Sequence, residues 1–190
     1  MVDFSSPHAR VLWVVTGAVQ AAAVPSLVVW VQNTYPHLEM HIALSPGAER
    51  FVSPLSLREF SGHQVVLDRW QSNGVGIDDH HLRIVQDYDA YMVWPMTLGY
   101  CSKLVACGGD GPVLLALSLA THPIIVYPAF PPGARDNPLV GELLAKLETR
   151  PNVRTVLPLK EGNSLRNLKP NNRAEVDPSV VFRVLQSALT

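Results

Sequence analysis

The stretch HHLRIVQDYDAYMVWPMTLGYCSKLVACGGDG, His80 to Gly111, decides how this chain is read. A histidine pair precedes a short amphipathic segment, and a buried strand, Tyr88 to Trp94, follows. The strand is expected to stop at Pro95, with Met96-Thr97-Leu98-Gly99 leading into a helix that begins near Tyr100. A strand that ends in a small-residue turn and feeds a helix gathers free backbone N–H groups and the positive end of a helix dipole in one place. Such a place suits a phosphate or an electron-rich ring. A histidine arriving beside it can act as a base or an orienting group.

Working toward the N-terminus, Val11-Leu12-Trp13-Val14-Val15 is a continuous apolar run rich in β-branched residues, the mark of a central parallel strand. Thr16-Gly17-Ala18 makes a turn, and Val19 to Gln32 fits a helix. This is the strand–glycine–helix opening of a nucleotide-binding unit, with one glycine instead of three. By itself it fits an ordinary strand–helix turn equally well. Glu39 to Leu44 is a second strand, flanked and interrupted by His37 and His41. Four residues on a strand span about 13 Å, too far for that H-x-x-x-H pair to share an ion, so no metal is expected. Ser45 to Val52 is expected to start a helix with Ser45 as its N-cap. Gln64 to Trp70 reads as a third strand or edge segment, and Gln71 to Gly76 as a loop.

Toward the C-terminus, Val113 to Ala120 is helix-like and Ile124 to Tyr127 is another buried strand, closed by Pro128 to Gly133. Leu139 to Leu147 is a helix, Val153 to Leu157 a short strand, and Pro178 to Leu189 an amphipathic helix. Residues 160–177 are polar and read either as a mobile flap or as a linker. Strands alternating with helices argue for a single α/β domain over residues 1–190, a doubly wound parallel sheet of the Rossmann or flavodoxin-like kind. Ligands of such sheets sit outside the carboxyl ends of the strands. The turns at Gly17, Ser45, Thr97 and Pro128 to Gly133 would share one crevice.

Of 190 residues, 47% are hydrophobic and 16% charged, against roughly 25% charged in ordinary domains. So little charge implies surface hidden between subunits, hence a homo-oligomer. A formal net charge of −1 leaves no electrostatic footprint for nucleic acid. The two cysteines, Cys101 and Cys107, form neither a C-x-x-C pair nor a disulfide scaffold, which fits the cytoplasm. The nearly uncharged run from Val11 to Val31 has the look of a membrane span or export signal, but Thr16-Gly17, Gln20 and Pro25 interrupt it. A buried strand and helix explain it better.

The spacing His81-Leu82-x-Ile84-x-x-x-Tyr88-Asp89, then Val93-Trp94-Pro95-Met96-Thr97, then Lys103-Leu104 and Asp110, resembles the homo-oligomeric flavin-containing cysteine decarboxylases. That family includes phosphopantothenoylcysteine decarboxylase and the peptidyl-cysteine decarboxylases of lantibiotic biosynthesis. Val15-Thr16-Gly17-Ala18-Val19-Gln20 stands where the family has V-T-G-S-I-A. The segment from Ser45 to Phe51 matches its T-x-x-A-x-x-F pattern. Pro128-Ala129 and Asn137-Pro138 persist from its second proline motif.

The resemblance implies FMN or FAD as cofactor. It assigns Gly17, Ala18, Val19, Ser45, Phe51, Met96, Thr97, Leu98 and Asp110 to cofactor binding, and Gly99, Ala129, Phe130 and Pro131 to substrate. It makes His81 the catalytic histidine. Gly99 replaces the asparagine of the family's turn, and Phe130-Pro131 replaces a Met-Asn pair. The implied reaction is oxidative decarboxylation of a C-terminal cysteine to an enethiol. No cysteine lies between Pro128 and Thr190 to reduce such a product, which points to a precursor peptide rather than a coenzyme A intermediate as substrate. The implied assembly is a trimer, or a dodecamer built of trimers. Two other readings share the fold: a flavin-binding regulatory subunit without catalysis, and a flavin prenyltransferase.

Overall fold

A computed structural model describes residues 9–70, 80–134, 136–157 and 178–189. Six parallel strands form one sheet in the order β3-β2-β1-β4-β5-β6. These are β1 (Ala9–Val15), β2 (Leu38–Leu44), β3 (Val66–Leu67), β4 (Ala90–Met96), β5 (Ile124–Pro128) and β6 (Val153–Thr155). The helices between them are α1 (Val24–Thr34), α2 (Pro54–Ser61), α3 (His80–Asp87), α4 (Leu98–Val105), α5 (Pro112–Leu119), α6 (Pro138–Glu148) and α7 (Pro178–Leu189). The expected doubly wound α/β fold is what the chain adopts.

The order 3-2-1-4-5-6 follows from two crossover directions starting at β1. The connections from β1 run outward to β2 and β3, and the return to β4 runs outward the other way. The central strands are apolar on both faces because both are covered. Val11, Trp13 and Val15 pack with α1, α2 and α7 on one side, while Leu12 and Val14 pack with α3, α4 and α5 on the other. On the first face Phe182 of α7 meets Trp13, Trp30 and Tyr35 at ring separations of 5.5–5.7 Å, which seals the C-terminal helix to the sheet. Such aromatic contacts contribute about 0.5–1.5 kcal/mol each beyond burial.

Several local expectations change. The helix expected over Val19 to Gln32 is two pieces, a 3-10 turn Val19–Ala23 and then α1. Pro25 explains the division, since a proline fits the first turn of a helix and not its interior. Ser45 caps no helix. The short turn Ala48–Arg50 has Gly47 at its N-cap, and the true helix starts at Pro54, where the Ser53 hydroxyl accepts the Leu55 N–H at 3.2 Å. Strand β4 does not stop at Pro95 but runs on to Met96, with a cis Trp94–Pro95 peptide. The ladder to β5 is irregular between Val93 and Met96, where a residue with no N–H is tolerated. The third strand is only Val66–Leu67, paired with β2 at the sheet edge. The loop expected over Gln71 to Gly76 and the flap or linker over 160–177 lie outside the described residues. No described helix is long and apolar enough to cross a membrane.

Candidate active site

The crevice of a doubly wound sheet opens where the strand order reverses, here between the carboxyl ends of β1 and β4. One buried hydroxyl joins the two sides. Thr16 Oγ1 donates to the Pro95 carbonyl at 2.7 Å and accepts the Thr97 N–H at 2.8 Å. Thr97 in turn is the N-cap of α4, its hydroxyl accepting the Tyr100 N–H at 3.3 Å. Capping takes up one of the orphan donors of the first turn and leaves those of Leu98 and Gly99 for a ligand.

Beside Thr16, the β1 and β2 turns touch. A Cβ built on Gly17 would fall 2.8–2.9 Å from the backbone of Gly47, so glycine at 17 is required for the two loops to approach. Ser45 is buried at the end of β2, with its N–H on the Val15 carbonyl. The β5 turn joins the same rim through the Ala129 N–H, which donates to the Met96 carbonyl at 2.8 Å. Gly17, Ala18, Val19, Ser45, Thr97, Leu98, Gly99, Ala129, Phe130 and Pro131 therefore all belong to turns or helix starts along this rim.

The other three residues assigned to the cofactor are Met96, Asp110 and Phe51. The Met96 side chain is fully buried against α4 and α5, so Met96 shapes the turn through its carbonyl and offers no side chain to a cofactor. Asp110 is exposed and ion-paired with Lys103 in the α4–α5 connection. Phe51 is 42% exposed. Asn137 is the N-cap of α6, accepting the Leu139 N–H at 3.0 Å, which accounts for the Asn137-Pro138 pair without a ligand.

His81 lies at the start of α3, toward the β3 side of the rim. Its ring meets Trp70 edge-on at 5.7 Å, and Trp70 Nε1 donates to the Gly109 carbonyl at 2.8 Å. Nδ1 of His81 is buried and has no hydrogen-bond partner among the described residues. A buried imidazole nitrogen left without a partner is costly unless something else engages it. The histidine and the Thr16–Thr97 crevice share the rim, and no hydrogen bond or ring contact joins them among the described residues.

The corner between them is organised by a residue that sequence reading did not single out. Asp68, at the end of β3 and 5% exposed, accepts the Val113 and Leu114 N–H groups at 2.9 and 3.2 Å and the Tyr100 hydroxyl at 3.1 Å. It thus caps α5 from a distance of more than 40 residues along the chain, because Gly111 at the N-cap has no side chain to do so. Burial pushes the Asp68 carboxyl above its ordinary range, against the pull of those hydrogen bonds. Burial also raises the Tyr100 phenol well above its usual value, with the neighbouring carboxylate adding to it. The legible signal was Gly111-Pro112: a helix start with no local cap needs one from elsewhere. Cys101 is fully buried, and that burial pushes its thiol up to about 11, which makes it a packing residue.

This rim fits a phosphate-bearing aromatic cofactor: backbone donors at the α4 start, a glycine-tight approach of two loops, and an unpartnered imidazole nearby. The Flavoprotein family profile matches residues 3–168. The chain belongs to the Flavoprotein family. Among characterised relatives, a Streptomyces cypemycin cysteine dehydrogenase (decarboxylating) is 29% identical over 139 residues, covering 73% of this chain and 71% of that protein. The bifunctional coenzyme A biosynthesis protein CoaBC of Haemophilus influenzae is 28% identical over 116 residues, 59% of this chain and 28% of the relative. Among solved structures, the cypemycin decarboxylase CypD matches with TM-score 0.69 and 27% identity over 80% of this chain and 84% of its own. The FMN-dependent cysteine decarboxylase SpaF matches with TM-score 0.75 over 98% and 99% of the two chains, a likeness of fold at 20% identity.

Proposed function

We propose that this Flavoprotein-family chain catalyses oxidative decarboxylation of the C-terminal cysteine of a ribosomally made peptide, using bound FMN, as a cytoplasmic homo-oligomer. The observation that carries the reading is the likeness to the cypemycin enzyme across nearly three quarters of the chain, on a rim whose donors fit a flavin. The FMN dependence stated for SpaF favours FMN over FAD. The exposed apolar side chains Phe51, Leu55 and Phe60 support an oligomer, and the family resemblance implies a trimer or a dodecamer built of trimers.

When bound, the flavin would supply a two-electron acceptor for a hydrogen of the cysteine Cβ, and the protein contributes position and electrostatics. Gly17 and the first turn of α4 would hold the cofactor's phosphate with backbone N–H groups. Thr16 fixes the spacing between those two turns, so a change at one is felt at the other. His81, with a buried and unpaired ring nitrogen, is the group available to take the thiol proton. Loss of the carboxylate as CO2 then leaves the Cα–Cβ double bond of an enethiol. The balance is one CO2 and two hydrogens lost by the peptide, the hydrogens' electrons passing to the flavin.

The test is a peptide ending in cysteine, incubated with purified protein and followed by mass spectrometry for loss of CO2 plus two hydrogens. His81→Asn should lower turnover by about 10²–10⁴-fold while the protein keeps its bound flavin. Normal turnover in that variant would remove His81 from the mechanism. A wild type that turns over phosphopantothenoylcysteine and not peptides would move the substrate to the coenzyme A branch that CoaBC represents.

A further inference from the structure

At the opposite end of β2 from the flavin rim, three metal-ligating side chains converge. Glu39 and His41 are two apart on the strand, so both face the α3 side of the sheet. His63 reaches them from the turn after α2. Gly62, with φ of 76°, ends that helix in the left-handed conformation, and the Ser61 hydroxyl accepts the His63 N–H at 3.2 Å. Gln32 holds the same turn through the Ser61 carbonyl at 3.2 Å. One nitrogen of each imidazole and one oxygen of Glu39 all lie within 4.8 Å of one another.

We infer that Glu39, His41 and His63 form a binding site for one divalent transition-metal ion, zinc being the ion the donor set favours. Two imidazoles and a carboxylate are ordinary zinc donors, and three protein ligands leave a fourth position for water. Tetrahedral zinc with bonds of about 2.0–2.1 Å puts its donors about 3.3 Å apart. His41 Nε2 and Glu39 Oε1 are already 2.8 Å apart. The third donor closes by turning the His63 ring out of its stack on His41, where the centroids stand 4.2 Å apart.

A plain hydrogen-bonded cluster accounts for Glu39 and His41, joined at 2.8 Å, while His63 meets His41 through the ring stack and brings one ring nitrogen into the same donor set. The groups facing the cluster are Arg10, whose Nε is 3.8 Å from Glu39 Oε1, and Tyr88, whose ring meets His41 at 5.3 Å and lies under the Arg10 guanidinium. Arg10 is 40% exposed and free to swing into solvent when the ion enters. The H-x-x-x-H pair of the sequence is not the site. His41 takes its partner from a turn 22 residues on.

The test uses tag-free, flavin-loaded protein stripped with chelator, titrated with zinc by calorimetry and with cobalt(II) by visible absorption. Expected are one ion per chain at micromolar affinity, the ligand-field bands of tetrahedral cobalt, and a loss of about tenfold or more in affinity for His63→Gln and His41→Gln. Flavin content should be equal in all variants, since His41 stands four residues, about 13 Å, before Ser45 on the strand. Failure to bind zinc above the level of the His41→Gln/His63→Gln double variant would overturn the site. So would binding that His63→Gln leaves unchanged. Neither result bears on decarboxylation, which is read separately.

Discussion

At the β1–β4 corner of the rim, two turns are held together by backbone proximity and one hydroxyl: Gly17 against Gly47, and Thr16 bridging Pro95 and Thr97. At the β3 corner, strand end, α4 and α5 converge on a single carboxylate, that of Asp68. The first corner needs the absence of side chains, and the second needs one particular side chain. Gly111 shows the two requirements meeting, because a Cβ there would lie 2.2 Å from Asp68 Oδ1. A ligand site assembled from both corners is preorganised by steric exclusion on one side and by buried polar bonding on the other.

The largest effect should come from removing the carboxylate. Asp68→Ala leaves two helix N–H groups and a phenol unpaired in the interior, at about 3 kcal/mol or more in total. Urea unfolding would measure it, and a loss below about 1 kcal/mol would mean that water replaces the carboxylate and the corner is not built on it. Asp68→Asn separates charge from hydrogen bonding. Because burial raises the folded-state carboxyl, the folded form binds the proton more tightly than the unfolded chain. Wild-type stability from this group therefore falls as pH rises from the ordinary carboxylate value through the raised one. The asparagine variant lacks that decline, so its stability relative to wild type should improve across the same window.

Gly17→Ala tests the other corner. The new methyl must push the Gly47 loop away, at a cost of about 1–3 kcal/mol, and flavin retention after gel filtration should drop with it. If Gly17→Ala keeps both stability and flavin, the close approach at the switch point is not what shapes the crevice.

Strands β1, β4 and β5 were legible because strands covered on both faces read as unbroken apolar runs, and the turns after them followed from glycine and proline. The rim was therefore visible as a set of turns, and the resemblance in His81 and Val93 to Thr97 pointed to its chemistry. What stayed hidden were relations between distant residues of ordinary type. Asp68 reads as a polar residue after a short edge strand, and its bonds to residues 100, 113 and 114 exist only once α4 folds back across the rim. His63 is likewise unremarkable until Gly62 turns it toward β2. The Ser45 cap was misplaced because two serine–proline pairs eight apart, Ser45-Pro46 and Ser53-Pro54, carry the same local signal, and what separates them is the poor helix former Gly47 after the first and Leu55 after the second.

The smallest expected effect lies between the two corners, at Gly99. It stands exposed in the first turn of α4, and a Cβ there meets nothing within 4 Å. Glycine in a helix costs roughly 0.5–1 kcal/mol relative to alanine, so Gly99→Ala should raise stability by about that amount. No packing would be disturbed, unlike at Gly17 or Gly111. Gly99→Asn fits the same space and would place an amide over the crevice, where the resemblance puts an asparagine. If the glycine is a specificity choice that leaves room for a larger substrate, Gly99→Asn should keep flavin and fold but raise KM for the peptide more than it changes kcat. If instead the missing amide limits the chemistry, the variant should raise kcat. Gly99→Ala supplies the control, since it adds the Cβ and the helix propensity without the amide.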